Sequence, residues 1–367
     1  MDRIQERLTL LETRVAEQLR PPLWLERNYT EPRVNYAVQD LVRPNWVTYD
    51  VGANFGGIAV AMSRLVGPRG AVCGFEANPL IAAKCQKELL RSGAYNTQLY
   101  QGAIYKKSGE MIELYLSDNE VADSIYRQTE RSIRVQTIAL DDFVEMTRLV
   151  PHFVKMDIEG AEADALLGFE RCVDSYSPIF ILEHTPPDNT CLEFLFSKGY
   201  VAIDLKNYRR IRSPSDIEPG TIVTDLLYSL PDKLLGTPYG LDLSAIEEAR
   251  LSGSDFSWTS ENNYRSSSLN LGPGRYIATL HFTAMENANT MCGVWPDGEH
   301  APLMRVHASS SGLVGFARDI VFDTVGGSVH FYFHFLEEKD PTLSIESVTL
   351  YRVSGFDAFH APFRISV

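Results

Sequence analysis

The sequence has no surplus of positive charge, no cysteine pair at metal-ligand spacing and no long apolar run. Its 34 Lys+Arg stand against 48 Asp+Glu, a formal net charge of −14. Such a surface repels a phosphate backbone, which argues against nucleic acid as a partner. The five cysteines, Cys73, Cys85, Cys172, Cys191 and Cys292, are widely spaced and odd in number. None forms a Cys-x-x-Cys pair, so a zinc site or redox dithiol is excluded and buried, reduced thiols are expected. No stretch approaches the roughly 18 apolar residues of a membrane span. Residues 1–20 are charged throughout and lack the apolar core of a signal peptide, so the cytoplasm is the expected compartment. The dinucleotide fingerprint Gly-x-Gly-x-x-Gly is missing too.

What is there fits a globular chain: 367 residues, 44% hydrophobic and 22% charged, enough for two domains. Ile4, Leu8, Leu11 and Val15 form the stripe of an amphipathic N-terminal helix that ends before Pro21-Pro22. It serves either to pack on its own domain or to pair two copies into a homo-oligomer. From Asn45 to about Leu230, short apolar runs alternate with helical stretches, the pattern of an α/β doubly wound sheet with helices on both faces. Expected strands are Trp46 to Val51, Val72 to Glu76, Gln98 to Gln101, Phe153 to Ile158, Ile179 to Glu183, Tyr200 to Asp204 and Asp225 to Leu230. Asn78-Pro79 should cap and open the helix after the second strand, and Ser92-Gly93 should close it. Met111 to Leu116 and Ile133 to Leu140 read as an inserted hairpin with no helical crossover.

Beyond Pro231 the texture changes. A linker over 233–255, with a short helix around Ala245 to Leu251, leads into a region of turn signals and β-rich runs. There Val329, Phe331, Phe333 and Phe335 alternate with His330, Tyr332 and His334, so one sheet face is buried. An all-β sandwich of jelly-roll-like layout is expected over 256–367, after an N-terminal helical segment at 1–44 and an α/β domain at 45–232. Trp258, Trp295 and Tyr332 are candidates for stacking on a sugar ring, and otherwise fill the core or an interdomain contact. His330 and His334 sit too far apart along a strand for one metal ion.

The most informative segment is Asp50-Val51-Gly52-Ala53-Asn54-Phe55-Gly56, a strand that ends in a glycine-rich turn opening a helix. Such a turn admits a ligand close to the backbone. Asp50 at the strand end would repel a pyrophosphate and suits the amino and sulfonium groups of S-adenosylmethionine (SAM). Glu76, ending the next strand, can accept both hydroxyls of a ribose, a device shared with NAD enzymes. Asp50, Glu76, Asp157 and Glu183 all fall at the carboxyl edge of the sheet, where open α/β folds bind ligands. If its strand stays extended, Lys155, Asp157 and Glu159 share one side.

With these motifs in place, the sequence from about Asn45 to Leu230 resembles the FkbM-like family of SAM-dependent methyltransferases. The resemblance is carried by Asp50-Val-Gly-Ala-Asn54-Phe-Gly56, Phe75-Glu76-Ala77-Asn78-Pro79, Thr137-Ile-Ala-Leu-Asp141-Asp142, Lys155-Met-Asp157-Ile-Glu159-Gly160-Ala-Glu162 and Pro178-Ile-Phe-Ile-Leu-Glu183-His184. Ala77 departs from the family's usual proline. The resemblance implies a Rossmann-like class I methyltransferase fold, SAM as donor, and an oxygen acceptor on a sugar or natural product. It implies cofactor contacts from Asp50, Gly52, Asn54, Phe55, Gly56, Glu76, Ala77 and Asp157, with Gln101, Gly102 and Ala103 at the adenine.

Methyl transfer to an alcohol also needs a proton acceptor. His184 is the first candidate, for its neutral-range pKa; Asp157 and Glu159 are rivals beside Lys155. Asp123, Ser124, Glu183, Arg209 and Arg210 are expected to face the acceptor. A divalent metal is not favoured, since Asp123, Asp157 and Glu159 have no compact spacing. The resulting expectation is an O-methyltransferase acting on a sugar, glycan or glycoconjugate. Its alternatives are a natural-product O-methyltransferase, an NAD-linked oxidoreductase and a non-enzymatic glycan-binding protein.

Overall fold

The computed structural model describes residues 31–117, 123–126, 128–240, 245–260, 263–284, 289–298, 303–309, 316–335 and 344–354. The expected helix through Ile4, Leu8, Leu11 and Val15 lies outside these residues. The described chain opens with α1 (Pro32–Leu41), β1 (Val47–Val51), α2 (Gly57–Val66), β2 (Ala71–Glu76), α3 (Pro79–Arg91) and β3 (Thr97–Gln101). A side sheet follows, made of β4 (Ala103–Ile104), β5 (Met111–Tyr115) and β6 (Ser132–Ile138). Then come α4 (Leu140–Thr147), β7 (Phe153–Met156), α5 (Glu162–Leu167), α6 (Glu170–Tyr176), β8 (Ile179–His184), α7 (Thr190–Ser197), β9 (Val201–Asp204), β10 (Arg209–Ile211) and β11 (Thr224–Ser229).

The main sheet has eight strands in the order β10-β9-β11-β8-β7-β1-β2-β3. β1, β2, β3, β7 and β8 run parallel, while β11 is antiparallel to both β8 and β9. Chain order reverses between β1 and β7, and a ligand crevice opens beyond the carboxyl ends of strands at such a switch point. Alternation sorts the side chains into two cores. Phe153, Ile179, Ile181 and Leu227 pack with α1 and α2, while Tyr49, Val154, Phe180 and Leu182 pack with α4, α5, α6 and α7. The sheet therefore carries helices on both faces, as expected.

Local signals account for several boundaries. Asn78 accepts a bond from the Leu80 amide at 2.9 Å with Pro79 behind it, so α3 starts where its cap requires. The hairpin of β5 and β6 forms with Met111 opposite Gln136. A helical crossover does follow it, contrary to the sequence reading. α4 places Asp141 and Asp142 in its first turn, where the helix dipole favours acids, and buries Leu140, Phe143 and Val144.

Among its described residues, the C-terminal part is β strands with one short 3₁₀ turn: β12 (Ala245–Ser252), β13 (Phe256–Ser260), β14 (Asn263–Ser266), β15 (Leu269–Leu271), β16 (Gly274–Ala284), β17 (Asn289–Pro296), β18 (Met304–Ser309), β19 (Phe316–Thr324), β20 (Gly327–Phe335) and β21 (Ser344–Val353). Two antiparallel sheets, β12-β21-β16-β19 and β13-β14-β20-β17-β18 with β15 beside β20, enclose a core that includes Tyr276, Leu280, Phe322, Phe331, Phe333 and Val348. The expected helix around Ala245 to Leu251 is instead the edge strand β12, running from Ala245 opposite Val353 to Ser252 opposite Ser347. The two parts are not joined by a tether alone. Val34, Ala37, Val38 and Leu41 of α1 share one buried cluster with Ile277, Val321 and Val353 of the β sheets.

Candidate active site

The crevice at the switch point is a pocket of about 890 Å³. β1 delivers Asp50 to its floor, buried to 1% exposure, and among the described residues neither carboxylate oxygen has a hydrogen-bond partner of normal geometry. Burial raises its pKa to about 6, against the charge of Lys155 and the amide of Ala59. The turn after β1 lies almost against the end of β7. A Cβ on Gly52 would sit 1.9 Å from the Asp157 carbonyl oxygen, and its φ of +78° belongs to the region that favours glycine. Glu76 ends β2 with Oε2 accepting from the Asn54 amide at 3.0 Å and Oε1 from the Asn78 amide at 2.9 Å. Both oxygens are thereby aimed while keeping spare lone pairs.

A second group of acids lines the same pocket. Oxygens of Asp157, Glu159 and Glu183 lie within 4.8 Å of one another, a compact group that linear spacing with Asp123 did not offer. Lys155 sits beneath it, with Nζ 3.1 Å from Asp157 Oδ2 and 3.7 Å from Glu31 Oε2. Burial opposes the Lys155 charge, but Asp157, Glu31 and Asp50 together hold its pKa well above the usual lysine value. Burial likewise opposes ionisation of Asp157, yet Lys155 and hydrogen bonds from Glu31, Lys155 and Glu183 bring its pKa below the ordinary carboxylate value. Burial and the charges of Asp157 and Glu159 push Glu183 up to about 8. Glu31 also reaches about 8, through burial and the Asp157 and Asp225 charges, with Lys155 opposing.

Of the residues expected from sequence, Asp50, Gly52, Asn54, Phe55, Glu76, Ala77, Ala103, Asp123, Lys155, Asp157, Glu159 and Glu183 line this one pocket, as does Gly102. Gly56 and Gln101 do not. Gly56 is the left-handed cap of α2, and Gln101 points outward from β3. Ser124 lies behind the wall, its Oγ donating to the Glu159 carbonyl at 2.8 Å. Arg209 and Arg210 belong to β10 at the far edge of the sheet, four strands from β7 by the strand order.

His184 fails as a pocket base for a geometric reason. It follows Glu183 on β8, so alternation sends it to the opposite face. There it is 3% exposed, its Nε2 has no partner among the described residues, and burial lowers its pKa despite Asp188 and Asp204. The shared side expected for Lys155, Asp157 and Glu159 also needs correction, because β7 stops at Met156 and the chain turns through φ +55° at Glu159 and +101° at Gly160. Glu31 is the acid that sequence reasoning missed. Its only local signal is a position just before Pro32 at a helix start, which says nothing about the pocket.

This Rossmann-like sheet with helices on both faces is the fold of a SAM-dependent methyltransferase. More particularly, residues 50–202 match the family model described as the methyltransferase FkbM domain, and the donor is SAM. Among solved structures, the chain is similar to methyltransferase FkbM from Methylobacillus flagellatus KT, with 15% identity over 53% of this chain and 50% of that one, at a TM-score of 0.34. It is also similar to precorrin-6y C5,15-methyltransferase from Geobacter metallireducens GS-15, with 17% identity over 53% of this chain and 85% of that one, at a TM-score of 0.34. A carbohydrate binding module from Cellvibrio mixtus lichenase 5A matches 29% of this chain and 98% of its own, with 11% identity and a TM-score of 0.24. No curated protein matches the chain. Among the described residues, no helix is long and apolar enough to cross a membrane.

Proposed function

We propose that this methyltransferase acts on a hydroxyl of a neutral, hydroxyl-rich acceptor, a sugar residue of a glycan or glycoconjugate. The observation that carries this reading is the compact group of Asp157, Glu159 and Glu183, facing the same pocket as Asp50 and Glu76. Carboxylates at that end repel a phosphate or carboxylate on the acceptor and accept hydrogen bonds from its hydroxyls. Lys155, already paired with Asp157 and Glu31, leaves no surplus positive charge there.

SAM, when bound, supplies an electrophilic methyl group. Glu76, its oxygens fixed by two backbone amides, suits the ribose hydroxyls, and the buried carboxylate of Asp50 suits the cationic end. Gly102 and Ala103 offer backbone beside the adenine position. Asn54, Phe55 and Ala77 complete that wall. At the acceptor end, Glu183 and Asp157 share a proton near neutrality, with Asp157 as the ionised partner. Once Glu183 has also lost its proton, the pair has a proton affinity matched to mildly alkaline pH and can take the proton of the attacking hydroxyl. Holding acceptor and donor in line supplies much of the remaining acceleration.

The test is incubation of the purified protein and methyl-labelled SAM with panels of neutral, acidic and amino-bearing saccharides, followed by mass spectrometry of the products. Labelled O-methyl sugar from the neutral panel is the expected result. Label found only on nitrogen, on carbon or on anionic acceptors would refute the reading.

A further inference from the structure

The β17–β20 sheet of the C-terminal part turns one face to the sandwich core and the other outward. Val329, Phe331 and Phe333 of β20 and Cys292 and Val294 of β17 are buried in that core. Gly293, Trp295, His330 and Tyr332, which alternate with them, therefore belong to the outer face. Register sets Trp295 opposite His330 and Gly293 opposite Tyr332, with Arg265 of β14 opposite Tyr332 on its other side. Trp295 does not project away from the sheet. A Cβ on Gly293 would stand 2.2 Å from its Cζ3, so the indole lies down over the glycine. The Tyr332 ring meets it at 5.3 Å between centroids, and both rings are half-buried.

A fixed set of polar groups borders the rings. Asp297 Oδ1 accepts from Arg265 Nη2 at 2.8 Å and lies 2.7 Å from His330 Nδ1, while Oδ2 accepts from Ser328 Oγ at 2.6 Å. Arg265 and Asp297 cancel in charge, and the guanidinium keeps donors to spare. Past Arg265 the surface continues as a shallow hollow edged by Ser257, Thr259 and Ser267.

We propose that this outer face binds a neutral saccharide, with the sugar ring on Trp295 and Tyr332 and its hydroxyls on Arg265, Asp297 and His330. A pyranose offers an apolar C–H face and an edge of hydroxyls. It needs an aromatic face bordered by both donors and acceptors, and the Trp295 and Tyr332 rings, inclined at 59° to each other, form a cradle of that kind beside the Arg265–Asp297 pair. Protein partners also use Trp, Tyr and Arg, but among the described residues the rings are bordered by the Ser328 hydroxyl and the paired Arg265 and Asp297. The site lies on a different domain from the methyl-transfer pocket and does not rest on the acceptor reading, because the glycan held here need not be the one methylated.

The experiment is an array of neutral and acidic oligosaccharides probed with the full-length protein. Calorimetry of the strongest neutral hit then compares the wild type with Trp295→Ala and Tyr332→Ala. S-adenosylhomocysteine affinity and melting temperature report on the fold, and Tyr332→Ala decides alone if Trp295→Ala does not fold. We expect a neutral oligosaccharide to bind and each ring removal to weaken it by roughly tenfold or more, with S-adenosylhomocysteine affinity unchanged. The proposal is overturned if only acidic oligosaccharides bind, if none binds, or if neutral binding survives both substitutions. It is equally overturned if Trp295→Ala alters self-association while no sugar is retained.

Discussion

Glu183 and His184 are neighbours in the chain and opposites in space. The solution pKa of histidine made His184 the more attractive base, while the alternation that sends it behind the sheet was already present in the sequence. Other parts of the site could be read directly. Asp50, Gly52 and Glu76 sit where a strand end and a tight turn demand. Glu31 could not be read in this way, because only tertiary packing of α1 brings it within 3.7 Å of Lys155. The residue-scale prediction concerns Glu183. Its folded pKa is raised to about 8, and it must be ionised to take a proton, so initial rates at saturating SAM should climb with pH and level off above about 8. Glu183→Gln should abolish that climb and lower the plateau by about 10² or more. Rate profiles over mildly acidic to alkaline pH check this, and an unchanged profile in the variant would assign the base elsewhere.

At the scale of elements, α1 connects the pocket to the β sheets. Glu31 precedes its first turn, and Asp40 near its last turn meets Arg275 of β16, with Nη2–Oδ1 at 3.1 Å. Arg275 is 3% exposed in its side chain, also pairs with Asp323 Oδ1 at 2.8 Å, and lies over the Tyr36 ring at 4.5 Å. Tyr239 donates to Asp40 Oδ2 at 3.0 Å, so the acid is held from both parts of the chain. None of this was legible beforehand, since an Asp and an Arg 235 residues apart carry no mark of their pairing. The helix expected at Ala245 to Leu251 failed for a related reason. Ala, Glu, Arg and Leu are good helix formers, yet pairing with β21 overrides propensity, at the cost of a bulge between Glu247 and Ala249. Asp40→Ala should leave the buried Arg275 charge with Asp323 as its remaining carboxylate partner, costing about 1–3 kcal/mol. Because the lost contact joins two parts of the molecule, calorimetry should show a single melting transition separating into two. A single transition at unchanged temperature would mean that the apolar cluster alone holds the parts together.

At the scale of the whole molecule, acidic residues gather in and around the pocket proposed for the donor. Within a chain of net charge −14, the pocket and its surroundings gather Glu31, Asp50, Glu183 and Asp225, with pKa values raised to about 8, 6, 8 and 7. In each case burial is the first cause, so every one of them ionises less readily in the folded than in the unfolded chain. Their contribution to stability is therefore complete below the ordinary carboxylate pKa and is lost progressively as pH rises toward about 8. Asp157, with its pKa lowered, acts in the opposite sense and is lost only as pH falls below the ordinary carboxylate range. The unliganded protein should accordingly melt at falling temperature from about pH 5 to about pH 8.5. SAM carries one more positive charge than S-adenosylhomocysteine and is otherwise nearly its equal in shape. Its extra stabilisation measures how much the ionised acids attract a cation. The gap between the melting temperatures with the two ligands, taken at equal saturation, should widen as pH increases over that interval and narrow at high salt if the acids act through water. A gap that stays constant with pH would mean that Asp50 and its neighbours do not sense the sulfonium, and that the donor's charge is met by backbone dipoles.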